Sequence, residues 1–252
     1  MSPNIVSKEQ ARALNFEQIW REDLDDIFES VATYYDRANM FATFGQWSRW
    51  RNGFLSLVDP RPDERVLDVC AGTNAIGIGL LEREPSLEVH AIDRSEAMQR
   101  VGRERAQARG FEIVNQIGDV HHLPFPDNHF DIVTLQWASR HLRVLDVFCE
   151  IQRVLKPGGR FCHCDMLRPA NRCVSRLYYA YLWLLLSVVA LVYRSGPTAL
   201  NSRAYFIKII DMFYSSQELT ALLEELGFSQ VSFENILGGT VAFHRAFKPP
   251  GR

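Results

Sequence analysis

The sequence predicts an α/β domain, a parallel sheet with helices on both faces. Three observations carry this expectation. Short apolar runs alternate with amphipathic stretches from about residue 63 onward. The first run, Val66 to Val69, empties into the small-residue turn Cys70-Ala71-Gly72-Thr73-Asn74, with a helical pattern, Ala75 to Leu81, behind it. The second run, Leu87 to Ile92, ends in an acid, Asp93. Alternation at these lengths calls for parallel strands joined by crossover helices, and ligands in such sheets lie beyond the strand C-termini where the strand order reverses.

The later elements follow in order. Ser95 is a natural N-cap for a helix from Glu96 to Arg109, which Gly110 ends. Phe111 to Ile117 reads as a third strand and Phe130 to Leu135 as a fourth, apolar enough to be buried on both faces. Val144, Val147, Phe148, Ile151 and Leu155 share one face of a helix that Pro157-Gly158-Gly159 should stop. Arg160 to Met166 makes a fifth strand. Ser215 and Glu218 form a capping box for a helix to Leu226, closed by Gly227. Val231 to Asn235 and Val241 to Phe247 are expected as a hairpin on the sheet edge, bringing the total to seven strands.

The glycine turn alone fits any strand-to-helix connection. With Asp93 about twenty positions on, in register to accept hydrogen bonds from ribose hydroxyls, it describes a nucleoside site. Gly72, Asn74 and Gly77 lack the middle glycine that a pyrophosphate needs, and no Gly-Lys-Ser/Thr follows. A nucleoside with an amino-acid tail, S-adenosylmethionine (SAM), fits better. Asp68, Thr73, Asp93, Asp119 and Gln136 all fall at or just past strand ends and converge on one crevice.

The formal net charge of −2 offers no footprint for nucleic acid. Five scattered cysteines argue against a disulfide framework and for a reducing compartment. Cys162-His163-Cys164 lacks a second ligand pair at zinc-site spacing. In a strand its thiols share one face, so these read as core cysteines and no metal is expected. Lys8, Glu9 and Arg12 precede any apolar run, unlike a secretory leader.

Val31-Ala32, Tyr35-Asp36, Asn39, Phe44-Gly45 and Trp50-Arg51 stand near the start, followed by Leu123-Pro124-Phe125-Pro126-Asp127-Asn128 with Phe130-Asp131, and by Arg153 to Gly159. Gly239, Val241-Ala242 and His244-Arg245 stand at the end. In these segments the sequence resembles the UbiE/MenG-type quinone C-methyltransferases, a class I SAM-dependent family. The resemblance implies a Rossmann-like seven-stranded fold in a single domain, residues 1–252. Its parts are an N-terminal helical lid (1–58), a cofactor core (63–168), an apolar helical insertion (170–212) and a closing helix with strands (213–248). It implies Asp68, Gly72, Thr73, Asn74, Asp93 and the adjacent Arg94, Asp119, Val120 and Gln136 at SAM, with Thr73 beside the methionine tail and Asp119 and Val120 flanking the adenine. It implies methylation of a reduced, prenylated ring precursor of menaquinone or ubiquinone. Asn74 stands where the family usually has Gly, Gln136 where it has Ser, His141 where it has Asn, and His121-His122 where it has Ala-Glu. These departures bear on the acceptor more than on the cofactor.

A quinol ring becomes a carbon nucleophile when a hydroxyl loses its proton. His141 is a residue type suited to take it near pH 7, and Arg140 to hold the phenolate. His141 reads equally as a loop residue satisfied by backbone. Tyr35 and Asp36 either cap the pocket or pack the lid. Leu177 to Tyr193 carries no charge and is rich in aromatics. As a helix it would span about 25 Å, short of a bilayer core of about 30 Å. It reads as an interfacial gate for an apolar tail, implying peripheral contact at the inner face of the membrane by a cytoplasmic protein, or else as a core or homodimer helix. Two other functions stay open, methylation of a soluble aromatic metabolite and a non-catalytic SAM- or quinone-binding subunit.

Overall fold

The computed structural model describes residues 1–22, 39–41, 43–192 and 197–251. Val31, Ala32, Tyr35, Asp36 and Tyr193, singled out above, lie outside the described residues. The helices are α1 (Pro3–Glu22), α2 (Gln46–Val58), α3 (Ala75–Leu81), α4 (Glu96–Gln107), α5 (Val144–Val154), α6 (Arg172–Val192), α7 (Pro197–Asp211) and α8 (Ser216–Glu225). The strands are β1 (Arg65–Val69), β2 (Glu88–Asp93), β3 (Val114–Ile117), β4 (Phe130–Gln136), β5 (Leu155–Met166), β6 (Ser229–Ile236) and β7 (Val241–Phe247).

They form one sheet in the order β3-β2-β1-β4-β5-β7-β6. The first five strands are parallel, and β7 runs antiparallel to both β5 and β6. The sheet builds outward from β1 in one direction through β2 and β3, then in the other through β4 and β5. The order therefore reverses between β1 and β4, where a crevice opens.

Period-two alternation sends neighbouring side chains to opposite cores. Leu67, Val69, Val133, Leu135 and Phe161 join α5 and α8 in one cluster. Val66, Ile132, Cys162 and Cys164 join Phe54, Leu55 and Val58 of α2 and Ile76 and Leu80 of α3 in the other. Both thiols are fully buried on the α2–α3 side, as core cysteines should be. A fully buried Leu or Phe of this kind contributes about 1.5–3 kcal/mol. A third cluster above the sheet joins Phe16 of α1, Leu182 of α6 and Ile209 and Ile210 of α7.

Several boundaries differ from expectation: α4 ends at Gln107, β6 runs from Ser229 to Ile236, and β5 starts at Leu155 and so takes in the Pro-Gly-Gly. β3 begins at Val114, since Phe111 and Ile113 pack on the second core before the strand starts. The helix before β5 ends at Val154 and not at the Pro-Gly-Gly, because Leu155 is already extended (φ −68, ψ 139) and pairs with Phe130. The helix N-caps fall where expected. The Ser95 hydroxyl accepts from the Met98 N–H at 3.2 Å, and Ser215 and Glu218 cap α8 reciprocally. The apolar insertion forms α6 and α7, and among the described residues no helix is long and apolar enough to cross a membrane.

Candidate active site

The crevice takes shape from the turn after β1. Cys70, Gly72 and Asn74 all adopt left-handed backbone (φ 54°, 52° and 56°). This winds the backbone tightly enough for the Gly72 N–H to reach the Asp93 carboxylate at 2.8 Å. A Cβ on Gly72 would meet nothing within 4 Å, so the turn leaves open space beside its backbone. The second Asp93 oxygen accepts from the Ser95 N–H at 2.9 Å. A carboxylate with one backbone donor on each oxygen has a fixed orientation and further acceptor capacity. Asp93 therefore lines the cavity as an oriented acceptor pair, together with Asp68, Gly72, Thr73, Arg94, Ser95, Ile76, Met98, Gln136, Trp137, His141 and Leu142. Acceptors for a diol at one end, apolar and aromatic walls, and an open backbone turn fit an adenosine bearing an amino-acid tail.

Asp68 is fully buried at the cavity floor, and Thr134 Oγ1 donates to it at 2.6 Å. Burial, with the Asp93 charge adding to it, pushes its carboxyl up to about 7.

Three residues expected at the cofactor, Asn74, Asp119 and Val120, do not themselves line this cavity. Asn74 adopts the left-handed conformation that a glycine would usually fill, which Asn tolerates. Its amide turns away from the cavity, donating to Asn115 Oδ1 at 2.6 Å and accepting from Gln99 Nε2 at 3.1 Å. Gly102 of α4 has no room for a Cβ there, which would lie 2.7 Å from the Asn74 side chain. Asn74 is thus the pin between α3, α4 and β3. Asp119 and Val120 follow β3, with Asp119 close enough to Cys70 and Arg94 of the cavity wall for the charges to interact. Asp119 is bound by the His121 N–H at 3.0 Å, and Val120 is buried in the core.

Past β4, the turn Ser139–His141 carries both candidate catalytic groups. Arg140 is buried, pairs with Asp165, and donates to the Trp137 carbonyl at 2.8 Å. Ser139 Oγ donates to the same Asp165 at 2.6 Å and lies 2.7 Å from His163 Nε2. Burial pushes the His163 imidazole down to about 4, so it is neutral and supplies the N–H of that contact. The His141 Nδ1 lies 2.7 Å from the Tyr205 hydroxyl of α7, and the rings stack. Burial, then the Arg140 and Arg12 cations, push the His141 imidazole well below its ordinary value. These surroundings disfavour the protonated imidazole and so work against the expected titration near pH 7.

Helix α1 clamps this turn from above. Arg12, fully buried, donates to the Arg140 carbonyl at 2.9 Å and the Leu142 carbonyl at 3.2 Å. Glu9, one turn away, accepts from the Val144 N–H at 3.2 Å, holding the start of α5.

A second cavity, lined mainly by apolar groups, adjoins the first. Its walls include Phe44, Trp50, Met166, Val174, Leu177, Tyr178, Leu182 and Leu185, and Arg140 reaches its floor. Only Trp47 and Trp137 line both cavities among the described residues. Their rings stack with centroids 5.0 Å apart. Sequence reasoning missed this pair, and also Arg12, Ser139, Asp165 and Tyr205. Trp137 directly follows a residue assigned to the site, and Trp47 lies within the N-terminal motif. Nothing local marks the other four.

A doubly wound sheet with a crevice of this composition at its switch point defines a SAM-dependent methyltransferase. The profile of the ubiE/COQ5 methyltransferase family matches residues 17–248, and the protein belongs to that family. It is 33% identical over 225 residues to a demethylmenaquinone methyltransferase from Symbiobacterium thermophilum, a match spanning 87% of this sequence and 90% of that one. It is also 33% identical over 237 residues to the ubiquinone/menaquinone biosynthesis C-methyltransferase UbiE of Ectopseudomonas mendocina, spanning 90% of each. A SAM-dependent methyltransferase from Aquifex aeolicus superposes with a TM-score of 0.61 at 19% identity, over 87% of this protein and 98% of that one, and shares the fold.

Proposed function

We propose that this protein methylates a ring carbon of a reduced, prenylated quinol in respiratory quinone biosynthesis, taking this acceptor from a membrane surface. The names of the two relatives support the acceptor class. The observation that carries the reading is the apolar groove meeting the cofactor cavity at the Trp47–Trp137 wall. In this reading Asp93 holds the ribose hydroxyls and Thr73 lies beside the methionine tail. When bound, the sulfonium supplies an already activated methyl.

The protein's own task is to align the ring, exclude water and manage one proton. The ring carbon forms its bond to the methyl as the carbon–sulfur bond breaks, then loses its hydrogen as a proton to restore aromaticity. Arg140 faces the groove as a buried cation and favours ionisation of a ring hydroxyl. His141 lines the cavity as a weak base, which its burial and the neighbouring cations would oblige to pass that ring proton on to solvent.

The tail runs along α6. Its inner side supplies Leu182 and Leu185 to the groove, while Leu177 (74%), Leu184 (59%) and Trp183 (56%) are exposed. Phe41, Phe44 and Leu237 are exposed as well. An apolar face continuous with a groove for an insoluble tail belongs on a bilayer.

Replacing both Trp183 and Leu184 with Ser should lower cosedimentation with phosphatidylethanolamine–phosphatidylglycerol vesicles about tenfold, from about 1.5 kcal/mol or more of lost apolar burial. Turnover of a short-tailed, soluble quinol should be unchanged. Leu185→Ser should instead lower turnover of long-tailed over short-tailed acceptors. Unchanged vesicle binding, or equal loss on both acceptors, would mean that α6 serves packing alone.

A further inference from the structure

We propose that Trp47 and Trp137 form the platform that receives the acceptor's aromatic ring, so that the ring lies on the groove side of the indole pair. This rests on the reading of the groove as the acceptor's route. A ring travelling from groove to cofactor must pass these two side chains, the two residues common to both walls among those described.

The geometry suits a flat ligand. The indoles are nearly parallel, at an interplanar angle of 27°, and Trp50 buttresses Trp137 with its centroid 5.9 Å away. Offset stacking on an indole recognises any flat aromatic ring through dispersion and quadrupole terms, whatever its hydrogen-bonding groups. The tail then supplies apolar affinity along α6, and Arg140 alone among the described residues supplies charge on the groove wall.

The backbone at Trp137 supports a functional role. A φ of +60° is an outlier for so bulky a residue, and such strain persists only where the surroundings impose it. Both peptide groups of Trp137 are fixed. Its N–H donates to the Cys164 carbonyl at 2.8 Å, and its carbonyl accepts from the Arg140 guanidinium at 2.8 Å. Arg140 is itself anchored on Asp165. The buried ion pair thus holds the indole at the junction of the two cavities.

The test uses the full-length protein and an oxidised 1,4-naphthoquinone with a short prenyl tail, which binds without reacting. Affinity is read by calorimetry in the presence of S-adenosylhomocysteine. Trp47→Leu and Trp137→Leu should each weaken quinone binding at least tenfold, with S-adenosylhomocysteine affinity changed less than threefold. Trp47→Phe should recover most of the loss, and Trp183→Phe should change nothing. Leu variants that bind the quinone like the wild type would overturn the platform. No quinone binding by the wild type would overturn the acceptor reading instead. If a Leu variant does not fold, the wild type decides. Its five tryptophans give five indole N–H resonances in a ¹⁵N-labelled sample, assigned through Trp→Phe variants. Added quinone should shift those of Trp47 and Trp137 most, and shifts confined to the other three would refute the proposal.

Discussion

Asp93→Ala is expected to lower SAM affinity at least tenfold while the protein keeps its fold. The residue sits at the tip of β2, half-buried, so its loss opens no cavity in either core. Its carboxylate is the oriented acceptor of the crevice. Each charge-assisted hydrogen bond to a ribose hydroxyl contributes about 1.5–3 kcal/mol, and 1.4 kcal/mol is tenfold. The loss is compounded because the Gly72 and Ser95 N–H groups, both held by Asp93, lose the partner that shapes the turn. Asp93→Asn keeps the size and one acceptor and should fall between the two. Calorimetry with SAM on the folded variants measures this, and an unchanged dissociation constant in Asp93→Ala would remove Asp93 from the cofactor site.

Asp165→Ala is expected to be the most destabilising single change near the site, by about 3–5 kcal/mol. Asp165 is fully buried and accepts from the Arg140 side chain, the Arg140 N–H at 3.1 Å and the Ser139 hydroxyl at 2.6 Å. Removing it leaves a buried guanidinium uncompensated, the costly way to break such a pair. Replacing Asp165 with Leu and Arg140 with Met together should recover much of the stability while abolishing turnover, because the net worth of a buried pair is small compared with the cost of splitting it. Denaturant melts of the single and double variants check this. A loss below about 1 kcal/mol for Asp165→Ala would mean that the pair does not hold the turn.

What the sequence revealed and what it hid divide along a physical line. The turn after β1, the acid ending β2 and the capping box of α8 are local patterns, set by residues a few positions apart, and each was legible. The hairpin that completes the sheet was legible for the same reason. Direction was not. Asn74 was correctly placed at the turn, yet only its hydrogen bonds to Asn115 and Gln99 show where its amide points. The downward push on the His141 imidazole was hidden because its environment comes from far away. Tyr205 lies 64 positions on, and Arg12, whose cation helps depress the imidazole, is held to the same turn from 128 positions before Arg140. The strained Trp137 leaves no trace in composition, since its φ follows from the β4–β5 ladder and from Arg140. The apolar run from Leu177 read as an interfacial gate, with a core or dimer helix as the alternative. Its two-sided burial, with Leu182 inside and Leu184 outside, favours a groove wall with a second exposed face.

The most direct measurement follows the methyl group itself. The purified protein is incubated with methyl-labelled SAM and a short-tailed demethylated naphthoquinol, kept chemically reduced in one sample and oxidised in the other. The expected result is label on a ring carbon in the reduced sample, none in the oxidised one, and a loss of transfer in Asp93→Ala at limiting SAM. Label on a ring oxygen, equal transfer to the oxidised ring, or no transfer from a protein that binds both SAM and the quinol would contradict C-methylation of a quinol by this protein.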